Sequence, residues 1–281
     1  MVLWKGVEPQ PSPKLGVIGW LRLVVRLVIY AVVTAELVLL WALAKGLEKA
    51  IGGDRLSGAV VRLWARIGHR IAGLRLEIQG EEMEHGGAIV ANHTSWTDIF
   101  VLHSAAHIHF VSKAEVAGWP VIGWLARITG TLFIERKPTE AKKQQDLLAA
   151  RISGGDKLCV FPEATSSDGL RVLPFKSTLF GVFHTETLKD LVWVQPVTVT
   201  YFPPKGKDKC FYGWWGDMDF GAHAKVILGL SSGGRVRVTF HEPLKAADFA
   251  NRKDLAKAAD AVVRGGLRQT LGDRYEDSPS Q

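Results

Sequence analysis

The sequence predicts an α/β fold: a mixed, largely parallel sheet flanked by helices, with an N-terminal membrane-associated helical segment ahead of it. Three observations carry that expectation. Short runs of β character recur between Leu74 and His241, helical stretches fall between several of them, and the residues before Leu74 hold a long apolar run without a strand pattern. Strands alternating with helices imply a sheet covered by helices. Such sheets gather ligands at the carboxyl ends of their strands.

The expected strands are Leu74–Ile78, Ala88–Ala91, His109–Val111, Gly130–Ile134, Leu158–Phe161, Val192–Val199 and Arg235–His241. The expected helices between and after them are Asp98–Ala106, Val121–Ile128, Thr139–Ile152 and Leu255–Leu271. This divides the chain into a helical anchoring segment over 1–73, an α/β domain over 74–272 and a disordered tail over 273–281. No internal repeat or low-complexity block interrupts that plan.

In the anchoring segment, Leu27–Ala44 is apolar apart from small or polar positions and one acid, Glu36, and Arg22 and Arg26 precede it. At about 1.5 Å per residue the run nearly matches the roughly 30 Å hydrocarbon layer. Three readings stay open: a spanning helix, an interfacial helix paired with the next segment, or a core helix. The following helix, Leu56–Leu74, carries Arg62, Arg66 and Arg70 as a basic stripe beside an apolar face. That pattern suits anionic headgroups or plain solvation.

Bulk composition narrows the function classes. The chain has 281 residues, 47% hydrophobic and 22% charged, with a net charge of +7. The charge favours an anionic partner. It is dispersed and belongs to no recognised nucleic-acid module, so nucleic acid is not expected. Ten tryptophans suit a lipid interface. Two distant cysteines, Cys159 and Cys210, argue against a disulfide framework. No nucleotide-binding glycine loop or nucleophile elbow is present. His103 and His107 share a helical face near His109, but no companion ligands support a metal, and none is expected.

The stretch from Ala88 to Asp98 is the most informative. An apolar strand delivers Asn92 and His93 to its carboxyl end, and the Ser95–Asp98 pattern starts a helix. Asp98 can then curl back to His93. A carboxylate on Nδ1 leaves Nε2 as a base. Taken alone, the pair also fits a helix cap beside an ordinary loop histidine. Lys113 follows another strand, where it either adds positive charge to a headgroup site or is simply solvated.

Four blocks in order resolve that ambiguity: Asn92–Asp98, Gly130-Thr-Leu-Phe-Ile-Glu-Arg136, Phe161-Pro-Glu-Ala-Thr165 and Val194-Gln-Pro-Val197. With them the chain resembles the glycerolipid acyltransferase family that includes 1-acylglycerol-3-phosphate acyltransferases, well over Leu74–Val199 and loosely outside it. The resemblance implies that His93 and Asp98 are catalytic. It places Gly130, Arg136, Glu163 and Thr165 in substrate binding, with Arg136 as a planar cation for an anionic headgroup and Glu163 in the acceptor site; Lys113 joins them as a substrate-binding candidate from its strand position alone. Pro196 is read as interrupting a buried strand for structural support.

It further implies transfer from acyl-CoA or acyl-carrier protein, as co-substrate rather than cofactor, to a lysolipid hydroxyl. The setting would be the membrane, at the cytoplasmic face. The first-choice acceptor is 1-acylglycerol-3-phosphate, giving phosphatidic acid. Two departures complicate that choice. The third block reads Ala164 where the family has glycine, and Ser166 where it has arginine; Arg171 or Lys176 could replace the missing cation. Residues 166–177 and Tyr212–Asp219 are similar to the lyso-ornithine lipid acyltransferase branch, the second reading. A non-catalytic peripheral lipid-binding protein is the rival from another class.

Overall fold

The computed structural model describes residues 4, 6–9, 13–53, 55–134, 141–186 and 188–278. Two helices open the chain, α1 (Val17–Ile51) and α2 (Arg55–Ile71). The α/β region follows with β1 (Leu74–Gln79), β2 (Gly87–Ala91), α3 (Asp98–Ala105), β3 (His109–Lys113), α4 (Ile122–Ile128), β4 (Leu132–Ile134), α5 (Ala141–Ser153) and β5 (Lys157–Val160). It closes with β6 (Trp193–Phe202), α6 (Phe220–Leu230), β7 (Gly234–Phe240), β8 (Leu244–Lys245) and α7 (Arg252–Leu271).

The strands form one sheet in the order β1-β7-β6-β2-β5-β3-β4, with β8 beside β6. β6, β2, β5, β3 and β4 run parallel, while β7 is antiparallel to β6 and β1 parallel to β7. The sheet is therefore mixed and largely parallel, as expected. Its central strand β2 is buried along its whole length, the signature of a strand covered on both faces.

Several expected details change for physical reasons. Pro196 does not interrupt β6. Val197 onward pairs with β7, whereas Trp193 and Val194 pair with β8. Pro196 falls between those two partners, where its missing N–H leaves no ladder bond unmade. Gln195 spans the same gap, its amide donating to the Glu81 and His241 carbonyls. The strand expected from Gly130 begins only at Leu132, because Gly130 (φ 77°) closes α4: Gly130 N–H bonds Arg127 O and Thr131 N–H bonds Ala126 O. The tail is docked through Ser278. Glu276 N–H bonds Leu170 O, the Glu276 carboxylate pairs with Arg171 and Lys209, and Asp277 pairs with Arg268 at 2.7 Å.

α6 is not among the helices expected from the sequence, and it gives two arginines a duty. Arg22 donates to Gly229 O (3.1 Å) and Arg26 to Leu228 O and Ser231 O (2.8 and 2.9 Å). These cations satisfy the open carbonyls at the carboxyl end of α6.

α1 and α2 form a hairpin. Glu48 of α1 accepts from the Ser57 N–H and hydroxyl, both at 2.8 Å, and so caps α2, while Trp64 donates to Thr34 at 3.1 Å. Glycines let α2 sit close to the α/β region: a Cβ on Gly58 would lie 2.3 Å from His107 Nε2, and one on Gly68 2.6 Å from Phe100. α1 is long and apolar enough to cross a membrane, yet only 6% of its most apolar window is buried. A core helix would be covered, so the core reading of this segment is excluded. Its outward face presents Val17, Ile18, Leu21, Leu39 and Leu43.

Candidate active site

β2, β5, β3 and β4 end at one edge of the sheet, and the turns leaving them carry most of the chemistry-bearing residues. Asn92 follows β2 and is clamped to β6, its side chain donating to Val199 O and accepting from Val199 N–H (2.9 and 2.8 Å). That clamp sets His93 at the rim. α3 begins five residues later, which brings Asp98 beneath the turn.

The Asp98 carboxylate is fully buried. One oxygen lies 2.7 Å from His93 Nδ1 and accepts from the N–H groups of Thr94 (2.8 Å) and Ser95 (3.0 Å). The other accepts from the Tyr201 hydroxyl at 2.6 Å. Four donors aimed at one carboxylate make it an acceptor only, so Nδ1 carries the proton and Nε2 is left as a base. The two sequence readings of Asp98 merge: the same oxygen holds the turn ahead of α3 and orients the imidazole. The Ser95 hydroxyl contributes little as a cap, lying 3.5 Å from Thr97 N.

Around the imidazole the packing is aromatic. Phe161 stacks on His93 with centroids 4.0 Å apart, and Phe110 stacks on Phe161 in turn. The His93 side chain is 18% exposed, so it remains reachable from one side. Its backbone is tied down as well, because Ser167 N–H donates to His93 O at 2.9 Å.

Glu163 sits beside this pair, but its carboxylate faces the chain itself. One oxygen accepts from His93 N–H (2.7 Å) and the other from Leu173 N–H (2.8 Å). Burial raises its carboxyl well above the ordinary range, and the two N–H donors oppose that shift. The geometry makes Glu163 a brace that joins the turns after β2 and β5. Thr165 is buried in the same turn. Lys113 ends β3 on this edge, two strands from β2 in the sheet order, so about 10 Å separates their axes. Arg136 lies outside the described residues, just beyond the end of β4.

Gly130 is not at this site. It precedes β4, at the opposite sheet edge, where a Cβ would lie 2.5 Å from His109 Nδ1. Its positive φ and that close approach account for a glycine there without any substrate contact. Arg171 is likewise committed elsewhere. It is buried, paired with Asp168 at 3.0 Å and with Glu276, and stacked over Trp4 at 5.3 Å. It therefore does not stand in for the missing arginine, whereas Lys176 is exposed, with its N–H on Pro162 O.

The two departures from the family pattern have visible consequences. Ala164 has φ 59°, a left-handed conformation in which a Cβ is penalised. Ser166 donates from its hydroxyl to the Trp214 carbonyl, and Trp214 N–H donates to Thr94 O at 2.9 Å. Residue 166 and the Tyr212–Asp219 segment thus form one structure against the residue that follows His93. Asp219 ends the segment as the N-cap of α6.

Tyr201 was missed in the sequence. It is an aromatic in an apolar strand, 103 residues from Asp98, and only the pairing of β6 with β2 brings them together. Burial first, and then Asp98, raise its phenol well above the ordinary range, so it keeps its proton and donates. Among the described residues no group of three or more His, Cys, Asp or Glu could hold a metal ion.

A parallel-edge histidine–carboxylate pair on this sheet defines a class, and comparison with known proteins agrees. Residues 75–200 match the family model described as Acyltransferase. The chain belongs to this acyltransferase family and is an acyl-transferring enzyme. It is 48% identical over 95% of its length to the lyso-ornithine lipid O-acyltransferase of Rhodobacter capsulatus, covering 98% of that protein. It is 37% identical to the enzyme of that name from Brucella abortus, covering 73% of this chain and 80% of that one. The fold matches the crystal structure of the 1-acyl-sn-glycerophosphate acyltransferase PlsC from Thermotoga maritima, with TM-score 0.67 and 20% identity over 90% of this chain and 96% of that one.

Two predictions follow from the geometry. Ala164→Gly should raise stability by about 1 kcal/mol by relieving the left-handed alanine; an unchanged or lower urea midpoint would contradict the strain. Tyr201→Phe should lower kcat about tenfold with KM little changed, since one bond to a buried charge is lost. A rise in KM at constant kcat would show instead that Tyr201 serves substrate binding.

Proposed function

We propose that this enzyme transfers a fatty acyl group from acyl-CoA or acyl-carrier protein to the free hydroxyl of a lyso-ornithine lipid. The observation that carries this reading is the Ser166–Trp214 contact beside His93. An arginine at this position would supply a fixed counter-charge for a phosphate. Ser166 instead spends its one donor on the Trp214 carbonyl. An ornithine headgroup carries a carboxylate and an ammonium but no phosphate, so it does not require that cation. The high identity to lyso-ornithine lipid acyltransferases across nearly the whole chain supports the same acceptor. It displaces 1-acylglycerol-3-phosphate, the first choice from the sequence.

In the proposed step, His93 Nε2 takes the proton of the acceptor hydroxyl as its oxygen attacks the thioester carbonyl. The tetrahedral intermediate collapses with loss of thiolate, which takes the proton back from the imidazolium. Asp98 holds the ring and balances its positive charge through that cycle. Glu163 acts by holding the His93 backbone. Arg136 and Lys113 remain proposed headgroup cations, Lys113 at the end of β3, and Thr165 a proposed wall of the acceptor site.

The purified chain should be assayed with acyl-CoA and acyl-carrier protein against lyso-ornithine lipid, lysophosphatidate and other lysophospholipids. The expected result is a kcat/KM at least about tenfold higher for lyso-ornithine lipid, a discrimination of about 1.4 kcal/mol. His93→Ala should remove about 10²–10⁴ of the turnover in a folded protein. Exclusive acylation of lysophosphatidate would defeat the proposed acceptor, and near-normal turnover by His93→Ala the proposed base.

The α1–α2 hairpin is proposed as the membrane attachment, with the active edge at the cytoplasmic face. The exposed apolar face of α1 supports this, since a contiguous apolar surface in water is costly. Carbonate extraction of membranes should leave the chain in the pellet; complete release would rule out a spanning α1.

A further inference from the structure

A cleft of about 360 Å3 lies between the hairpin and the α/β region. It is at the edge opposite His93: its walls include His109, which starts β3, Asp156, which precedes β5, and Gly130, which precedes β4. Nothing in the acyl-transfer step uses it.

Two of its polar groups are open to an anion. The lining holds three basic residues, Lys45, Arg62 and Arg151, and a single acid, Asp156. Lys45 is paired with Glu48 and Arg151 with Asp156. Arg62 differs, because its Nε is buried with no hydrogen-bond partner. His103 is 1% exposed and its Nε2 also lacks a partner. Burial lowers His103 to about 3, so the ring is neutral and can present one N–H to an acceptor. Buried unpaired polar atoms are rare and costly, and two of them lining one cleft mark a ligand position.

The other half of the site is apolar. A narrow groove continues from the cleft between α1, α2 and α4, sharing Trp41, Val61, Ile128 and Thr129 with it. Leu37, Val38 and Leu125 extend the groove. It runs along α1, whose outer face is exposed and apolar. A cationic pocket joined to an apolar groove matches a molecule with an anionic head and a hydrocarbon tail.

We propose that the cleft and groove bind an anionic phospholipid, with its phosphate on Arg62 and His103 and one acyl chain laid between α1 and α4. This lipid is separate from the substrates, and it wedges the hairpin against the α/β region. The site does not depend on which acceptor is acylated at the other edge.

The test is native mass spectrometry of the full chain in mild detergent, with dioleoylphosphatidylglycerol, dioleoylphosphatidylcholine and inorganic phosphate as separate arms. One phosphatidylglycerol should be retained per chain, phosphatidylcholine about tenfold more weakly and phosphate not at all. Arg62→Gln should weaken phosphatidylglycerol about tenfold, as expected for one charge-assisted contact. Val61→Trp, which fills the junction of cleft and groove, should do the same, and circular dichroism verifies that each variant is folded. His93→Ala should retain the lipid like the parent. Equal retention of phosphatidylcholine, retention of phosphate alone, or no effect from either cleft variant would overturn the proposal. Loss in His93→Ala would move the lipid to the catalytic edge and overturn it as well.

Discussion

The Asp98 carboxylate is the point on which the rest of the active edge depends. Removing a carboxylate from water costs several kcal/mol unless its oxygens are met by donors, and here they come from three parts of the chain. Thr94 and Ser95 belong to the turn, His93 to the strand end and Tyr201 to a strand on the other side of β2. The charge that orients the His93 ring therefore also fixes the turn, starts α3 and ties β6 into the site. Glu163 repeats the device one strand away, joining the turns after β2 and β5 through two backbone N–H groups. His93 is held from both sides, by its ring and by its backbone, and preorganisation of this kind is what the proposed general base needs.

The two departures from the family pattern, Ala164 and Ser166, lie in one turn. Ser166 and Trp214 meet over Thr94, while Arg171, the nearest alternative cation, is turned inward to Asp168 and Glu276. A phosphate would find less fixed positive charge beside His93 than the family motif supplies. The inward arginine has a structural use: it pins the C-terminal tail against residues 168–172.

The hairpin is joined to the sheet by close packing and by capping rather than by a loose tether. Gly58 and Gly68 remove the side chains that would hold α2 off His107 and Phe100, and Arg22 and Arg26 close the end of α6. Its inner face therefore has a defined geometry, while its outer face stays apolar and uncovered. That contrast lets one element meet both a lipid phase and a folded domain.

The strand–helix alternation and the pairing of His93 with Asp98 were determined by the sequence itself, because both rest on local periodicity and a five-residue span. The four ordered blocks likewise identified acyl transfer. Only the tertiary structure decided the roles that depend on neighbours far along the chain. Gly130 serves a helix end and a close approach to His109, Glu163 braces backbone, Pro196 sits where β8 gives way to β7, and Tyr201 reaches Asp98 across the sheet. Ala164 could be read as strained only once its positive φ was seen. The physical reason is common to all of them. A motif records which residue types recur in sequence, whereas hydrogen-bond partners are set by strand order and register, which bring together residues separated by a hundred positions.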